Sequence, residues 1–195
     1  MITHAQPGDA AGILNLINDY AETGLMLPRT LADVERNLSQ FRVYRQDGQV
    51  VGVLALSYGA KGLVEIRSLA VHREYSRRGI ASQLVEAGIE DAIRADYSHV
   101  FVLTYAAPLF QRFGFEVIDK NRLPDKIWKD CTVCPKQERC DETAMIRPLV
   151  FVPVAVPVYE PAVALTPVTG LQPVTGLQPV TGLQPVTGME TIAAV

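Results

Sequence analysis

From residue 167 the chain reads PVTGLQPVTGLQPVTGLQPVTG, with prolines at 167, 173, 179 and 185. Proline at every sixth position blocks a continuous helix and interrupts the hydrogen-bond ladder of a strand. A short-period solenoid would need a repeating apolar set that packs between coils. Each repeat here offers one Leu and one Val. The preceding stretch, PLVFVPVAVPVYEPAVAL, is dense in Val and Pro, and beyond Arg147 only Glu160 and Glu190 carry charge. Residues 149–195 are therefore expected to form an extended or disordered tail that neither builds nor completes a core. The fold must then lie within residues 1–148.

That length suits one ordinary domain. A net charge of −3 excludes a broad basic face, and phosphate neutralisation supplies much of the affinity of nucleic-acid binders. No nucleic-acid partner is expected, and any basic site must be local. The opening MITHAQPGDAAGILN lacks the basic start and apolar core of a signal peptide. No apolar run reaches the ~18 residues that span a bilayer. A cytoplasmic protein with no membrane partner is expected. The three cysteines, Cys131, Cys134 and Cys140, are an odd number spaced C-x2-C-x5-C, which does not suggest a disulfide framework. Two readings stay open for them: zinc (or an iron–sulfur cluster) held by three thiolates and one more ligand, or reduced, packed thiols. His4, His72 and His99 are far away in sequence and Asp141 is only adjacent, so no fourth ligand is evident.

Helix and strand patterns alternate through the domain. GDAAGILNLINDY places Ile13, Leu16, Ile17 and Tyr20 on one helical face behind Asp9 as N-cap, and Gly24 can end that helix. TLADVERNL has Thr30 and Asp33 at capping-box spacing. FRVYRQDGQVVGVLALSY reads as a hairpin turning at Asp47-Gly48. EIRSLAV alternates as a strand, with Ile66, Ser68 and Ala70 on one side and Glu65 and Arg67 on the other, and a helix runs from about Arg78 to Ala95. HVFVLTY is a buried strand, APLFQRF one or two helical turns closed by Gly114, and FEVID a further strand. The pattern predicts a mixed α/β fold with several antiparallel strands.

Between strand and helix stand Arg73, Arg77 and Arg78, followed by Gly79 and small side chains. A helix N-terminus carries unpaired N–H groups and partial positive charge, and small residues let a phosphate approach them. Gly79 and Ala81 give that access, Ser82 adds a hydroxyl, and Arg77 and Arg78 add charge. The stretch is read as a cradle for a phosphorylated ligand.

Ser76-Arg77-Arg78-Gly79-Ile80-Ala81 resembles the pyrophosphate loop, Gln/Arg-x-x-Gly-x-Gly/Ala, of the GCN5-related N-acetyltransferases (GNATs). Ser76 departs from the usual first residue, a gap that Arg77 can fill. Further segments, among them GLMLPRT, EIRSLAV, FVLTY, FGFEVIDKNRLPDKIWKDCTVCP and CDETAM, resemble the amino-acid N-acetyltransferases of arginine biosynthesis, above all the single-domain form of N-acetylglutamate synthase. The likeness spans residues 1 to 148. It implies a mainly antiparallel central sheet flanked by helices, with acetyl-CoA wedged between two splayed strands. Leu69, Ala70 and Val71 would then meet the pantetheine, and Arg77, Arg78, Gly79, Ile80, Ala81 and Ser82 the pyrophosphate. Longer relatives carry an arginine-binding kinase-like domain, for which this length leaves no room, so inhibition through it is not expected. A homodimer is one reading of the assembly.

Acetyl transfer needs a neutral amine, and an α-amino group is mostly protonated at neutral pH, so a carboxylate base is useful. Glu65 is expected to share a face with Leu69 toward the cleft, where the resemblance also puts a general base. Tyr105 or Thr104, at the end of the next strand, can protonate the leaving thiolate. The implied partner is L-glutamate, whose two carboxylates suit the arginine fork. Arg29 in MLPRT, Arg67, and Lys126 in LPDKIW are the candidate contacts. Two alternatives are a GNAT acting on another small amine or a protein N-terminus, and a non-catalytic CoA-binding regulatory module.

Overall fold

The computed structural model describes residues 1–59, 62–123 and 134–149, together with the backbone of 193–194. Within them the chain runs β1 (Ile2–His4), α1 (Ala10–Ala21), α2 (Leu31–Arg36), β2 (Phe41–Gln46), β3 (Gln49–Tyr58), β4 (Leu63–Val71), α3 (Ile80–Arg94), β5 (His99–Thr104), α4 (Ala107–Gln111), β6 (Glu116–Val117), β7 (Thr143–Pro148) and β8 (Ala193–Ala194). The strands form one sheet in the order β1-β2-β3-β4-β8-β5-β7-β6. Only β4 and β5 pair in parallel, and the other described pairings are antiparallel. The mixed, mainly antiparallel sheet expected from the hairpins is the one observed.

Both faces of the sheet are covered. Leu54, Leu56, Ile66, Leu69 and Val71 pack with Ile80, Leu84 and Val85 of α3 and Leu109 and Phe110 of α4. On the opposite face Val43, Val53, Ala55 and Ala70 meet Ile13, Leu16, Ile17 and Tyr20 of α1 and Val34 of α2. Helix α1 therefore buries the stripe its sequence shows, and Gly24, at φ 68, turns the chain after it. The β2–β3 hairpin turns at Asp47 and Gly48, φ 50 and 80, the two positive values that a tight hairpin turn demands.

Two local expectations change. Asp9 does not cap α1 with its side chain; its carboxylate accepts from Gln6 N at 2.6 Å and is gripped by Arg45, whose Nε donates to it at 2.9 Å. A bidentate arginine outcompetes a single backbone N–H for those oxygens. In β4 the even alternation fails at Ser68. Val53 faces Ala70 and Ala55 faces Arg67, so Ser68 and Leu69 together oppose the single residue Leu54. This is a β-bulge, with Ser68 at φ 52. It turns Leu69 and Val71 onto the α3 face beside Ile66, leaving Ala70 on the α1 face. Glu65, across from Ser57, therefore does not share a face with Leu69.

Candidate active site

Strands β4 and β5 run side by side only as far as the Ile66↔Val102 pair. Beyond it they part. The backbone edges thus released are taken by β8, which sets Ala194 against Leu69 and Ala193 against Ala70, and also pairs Ala194 with Thr104. A slot of this kind, with strand edges on both sides, accepts any ligand that offers amides in extended register. It opens at the start of α3. There Arg77 and Gly79 both have positive φ, 62 and 77, and Gly79 occupies the N-cap of α3 with no side chain over the helix end. A Cβ at Gly79 would meet only Gln83 Nε2, at 3.9 Å. The surrounding packing does not require a glycine, so what it preserves is the turn and the approach to the helix N–H groups. Those residues fit a pyrophosphate. Of the two arginines, Arg78 lies back over the Tyr75 ring at 5.0 Å and donates to Glu74 O at 3.1 Å, while Arg77 is exposed beside the cradle. Ser82 Oγ accepts from Arg112 at 3.5 Å.

The α1–α2 connection reaches the same strand from its other face. Asn18 fixes the Arg29 backbone through two side-chain bonds, 2.9 Å from Arg29 N and 3.1 Å to Arg29 O. The Arg29 guanidinium donates from Nε to Ser68 Oγ at 3.3 Å, pairs with Asp33 and lies 5.8 Å from the Phe41 ring centroid. A cation 39 residues away in sequence is thereby set on the bulge. Arg67 faces Ala55, whose side chain belongs to the α1-side core, and Glu65 stands one pleat further back. Bulge and arginine thus bring Glu65, Arg67 and Arg29 to one face of β4. Tyr20, buried at the end of α1, donates to Val71 O at 2.6 Å and so anchors the strand end that borders the slot. The sequence offers no signal for that bond beyond the helical stripe.

At the end of β5, Thr104 is buried and its Oγ1 accepts from Ala106 N at 2.9 Å, which shapes the turn into α4. Tyr105 donates to Asp141 Oδ1 at 2.6 Å and accepts from Lys136 Nζ at 2.9 Å. Burial, then the Asp141 hydrogen bond and nearby negative charge, hold its hydroxyl well above the ordinary phenol range. Burial pushes the neighbouring Glu142 up to about 7, against the pull of Lys120. Its Oε2 lies 3.8 Å from Cys140 Sγ and its Oε1 is buried without a hydrogen-bond partner. Motif and spacing give Lys136 and Glu142 no role of their own and mark Asp141 only as a neighbour of the cysteines. Lys126 and Cys131 lie outside the described residues. Cys134 and Cys140 are free thiols, and among the described residues no group of three or more His, Cys, Asp or Glu is placed to hold a metal.

A splayed β4–β5 pair, a bulged β4 and a glycine-opened helix N-terminus define an acyl-CoA-dependent acetyltransferase fold. Residues 12–115 match the acetyltransferase (GNAT) family model, and the chain belongs to that family. It is similar to an uncharacterised N-acetyltransferase of Chlorobaculum tepidum, 38% identical over 148 residues, covering 76% of this chain and 96% of that protein. It is 34% identical over 118 residues to an amino-acid acetyltransferase of Haemophilus ducreyi, covering 60% of this chain and 27% of that relative's length. The N-acetylglutamate synthase of Neisseria gonorrhoeae, solved with coenzyme A and N-acetyl-glutamate, superposes with a TM-score of 0.70 at 27% identity. That match covers 77% of this chain and 35% of the synthase. The chain is thus an acetyltransferase of the GNAT family. No helix among the described residues is long and apolar enough to cross a membrane.

Proposed function

We propose that the chain transfers acetyl from acetyl-CoA to the α-amino group of L-glutamate, the first step of arginine biosynthesis, in the cytoplasm. The observation that carries this reading is Arg29, anchored by Asn18 and Asp33 and laid on the β4 bulge at Ser68. A guanidinium held there beside Arg67 suits a dicarboxylate. The synthase complex with N-acetyl-glutamate supports the same acceptor by likeness.

In this reading Leu69–Val71 line the pantetheine and residues 77–82 receive the pyrophosphate on the N-terminus of α3. Binding of the cosubstrate displaces β8, because both use the Leu69 edge. Glu65, directly or through a water, takes a proton from the acceptor ammonium. The amine then attacks the thioester carbonyl, the C–N bond forms, the nitrogen sheds its second proton to solvent and the C–S bond breaks. The thiolate takes a proton from Tyr105, and both side chains return to their starting state by exchange with solvent. Thr104, already bonded to the turn, supports the strand end. The test is thiol release from acetyl-CoA across a panel of amino acids and small amines. Glutamate should give the highest kcat/KM. If no acceptor in the panel gives thiol release, the reading of glutamate as acceptor fails.

A further inference from the structure

The segment 134–142, whose visible sequence feature is its cysteine spacing, converges on one side chain. Asp141 accepts the Tyr105 proton at 2.6 Å, and Lys136 Nζ donates to the same phenol oxygen at 2.9 Å. Lys136 also donates to Gly24 O at 3.0 Å, at the turn after α1, and lies 5.0 Å from the Tyr105 ring centroid. Its ammonium is 4.0 Å from Asp141 Oδ1. Lys120 secures the segment from outside, donating to Cys140 O at 2.9 Å. An exposed lysine ordinarily keeps its head in water. Here one ammonium bridges groups 31 and 112 residues away in sequence. A phenol has a single proton and two lone pairs. In Tyr105 at rest the proton faces a carboxylate and a lone pair a cation, which sets the resting hydroxyl torsion.

We propose that Lys136 and Asp141 are positioning residues for Tyr105: they hold its hydroxyl from two sides, and the Lys136–Gly24 bond keeps that hydroxyl in register with the acceptor-binding connection after α1. The proposal rests on the reading of Tyr105 as proton donor. To protonate the thiolate sulfur the Tyr105 hydroxyl turns from Asp141; a phenolate then remains, and Lys136 faces it until solvent restores the proton. Asp141 opposes that ionisation and Lys136 favours it. Cys140 and Glu142, the other titratable groups facing Tyr105 from this segment, act in the same sense as Asp141.

The test uses the full chain labelled at tyrosine Cζ with carbon-13, with the Tyr105 signal identified by its loss in Tyr105→Phe. Asp141→Asn should bring the phenol titration down into the accessible pH range. On that background Lys136→Met should raise it by about one pH unit, the scale of losing an adjacent opposite charge, while Lys136→Arg should leave it nearly where it was. An unchanged titration in Lys136→Met, with a folded melting curve, overturns the proposal. A second arm follows kcat/KM with acetyl-CoA and glutamate. Lys136→Met should lower it by about 10–100-fold, and adding it to Tyr105→Phe should cost little more, because residues acting as a unit are non-additive. Additive losses overturn the proposal as well. A lack of turnover with every acceptor would instead defeat the reading of Tyr105 as donor, and the titration alone would then decide the positioning.

Discussion

In the proposed reading, the cofactor side of the cleft comes from one stretch of chain, Leu69 to Ser82, in which a strand end, a loop and a helix start follow one another. In the same reading the acceptor side gathers Arg29, Glu65, Tyr105 and Lys136 from four separate segments, closed by contacts across as many as 112 residues of sequence. The difference is one of contact order. A phosphate cradle needs a glycine and consecutive backbone N–H groups, so it is written locally. A pocket for a dicarboxylate needs charges set at a fixed separation, which only tertiary packing supplies. Substitutions on the two sides should therefore fail in different ways.

The largest effect is expected on the acceptor side. Glu65→Gln should lower kcat by about 10²–10⁴-fold, the scale of a lost general base, while acetyl-CoA affinity stays near wild type. The defect should shrink as pH rises and free amine accumulates, and steady-state rates across pH would show it. Gly79→Asp reverses the pattern. Its carboxylate enters the field meant for pyrophosphate, so titration calorimetry should show acetyl-CoA affinity reduced by at least about 100-fold. The protein should still fold, since the Cβ meets only the end of Gln83 and left-handed backbone costs an aspartate roughly 1 kcal/mol. Near wild-type affinity in that variant would remove the loop from the site.

The wall beside Tyr105 should show a pH-dependent stability of its own. Glu142 is raised from 4.5 to about 7 in the fold, chiefly by burial. Between those values the folded state holds a proton that the unfolded chain releases, so stability falls as pH climbs from about 4.5 to about 7. The loss has an upper bound of roughly 3 kcal/mol. Glu142→Gln should flatten that part of the Tm–pH curve, and an unchanged curve would show that another group is responsible. The smallest effect belongs to β8. Ala193→Pro removes the backbone N–H of a residue paired with Ala70. If β8 and pantetheine compete for the Leu69 edge, the full-length variant should bind acetyl-CoA several-fold more tightly, about 1 kcal/mol. Equal affinity would mean that the pairing does not oppose the cosubstrate.

What the sequence makes legible follows the same division. The α1 stripe, the Asp47-Gly48 hairpin and the cradle at Gly79 depend on neighbours within a few residues, and periodicity or turn chemistry finds them. The bulge at Ser68 has no such signature. Alternation in EIRSLAV looks unbroken, and only the pairing with β3 shows two residues opposing Leu54. The same holds for the three-residue β1 and for β7, which pair along the edges that β2 and β5 offer them. Asp9 looks like a cap until Arg45, 36 residues on, claims its carboxylate. Lys136 and Asp141 sit in a segment whose cysteines dominate any reading by motif, and their convergence on Tyr105 is a product of the fold alone.

The arginine on the β4 bulge is expected to select an acceptor with a second carboxylate. Equimolar glutamate and glutamine in one reaction with limiting acetyl-CoA, analysed by mass spectrometry, test it most directly. N-acetylglutamate should dominate the products by about tenfold or more, the worth of one charge-assisted pair at roughly 1.5–3 kcal/mol. Arg29→Ala should collapse that ratio toward unity. Equal acetylation by the unaltered chain, or a preference that survives Arg29→Ala, would contradict the account.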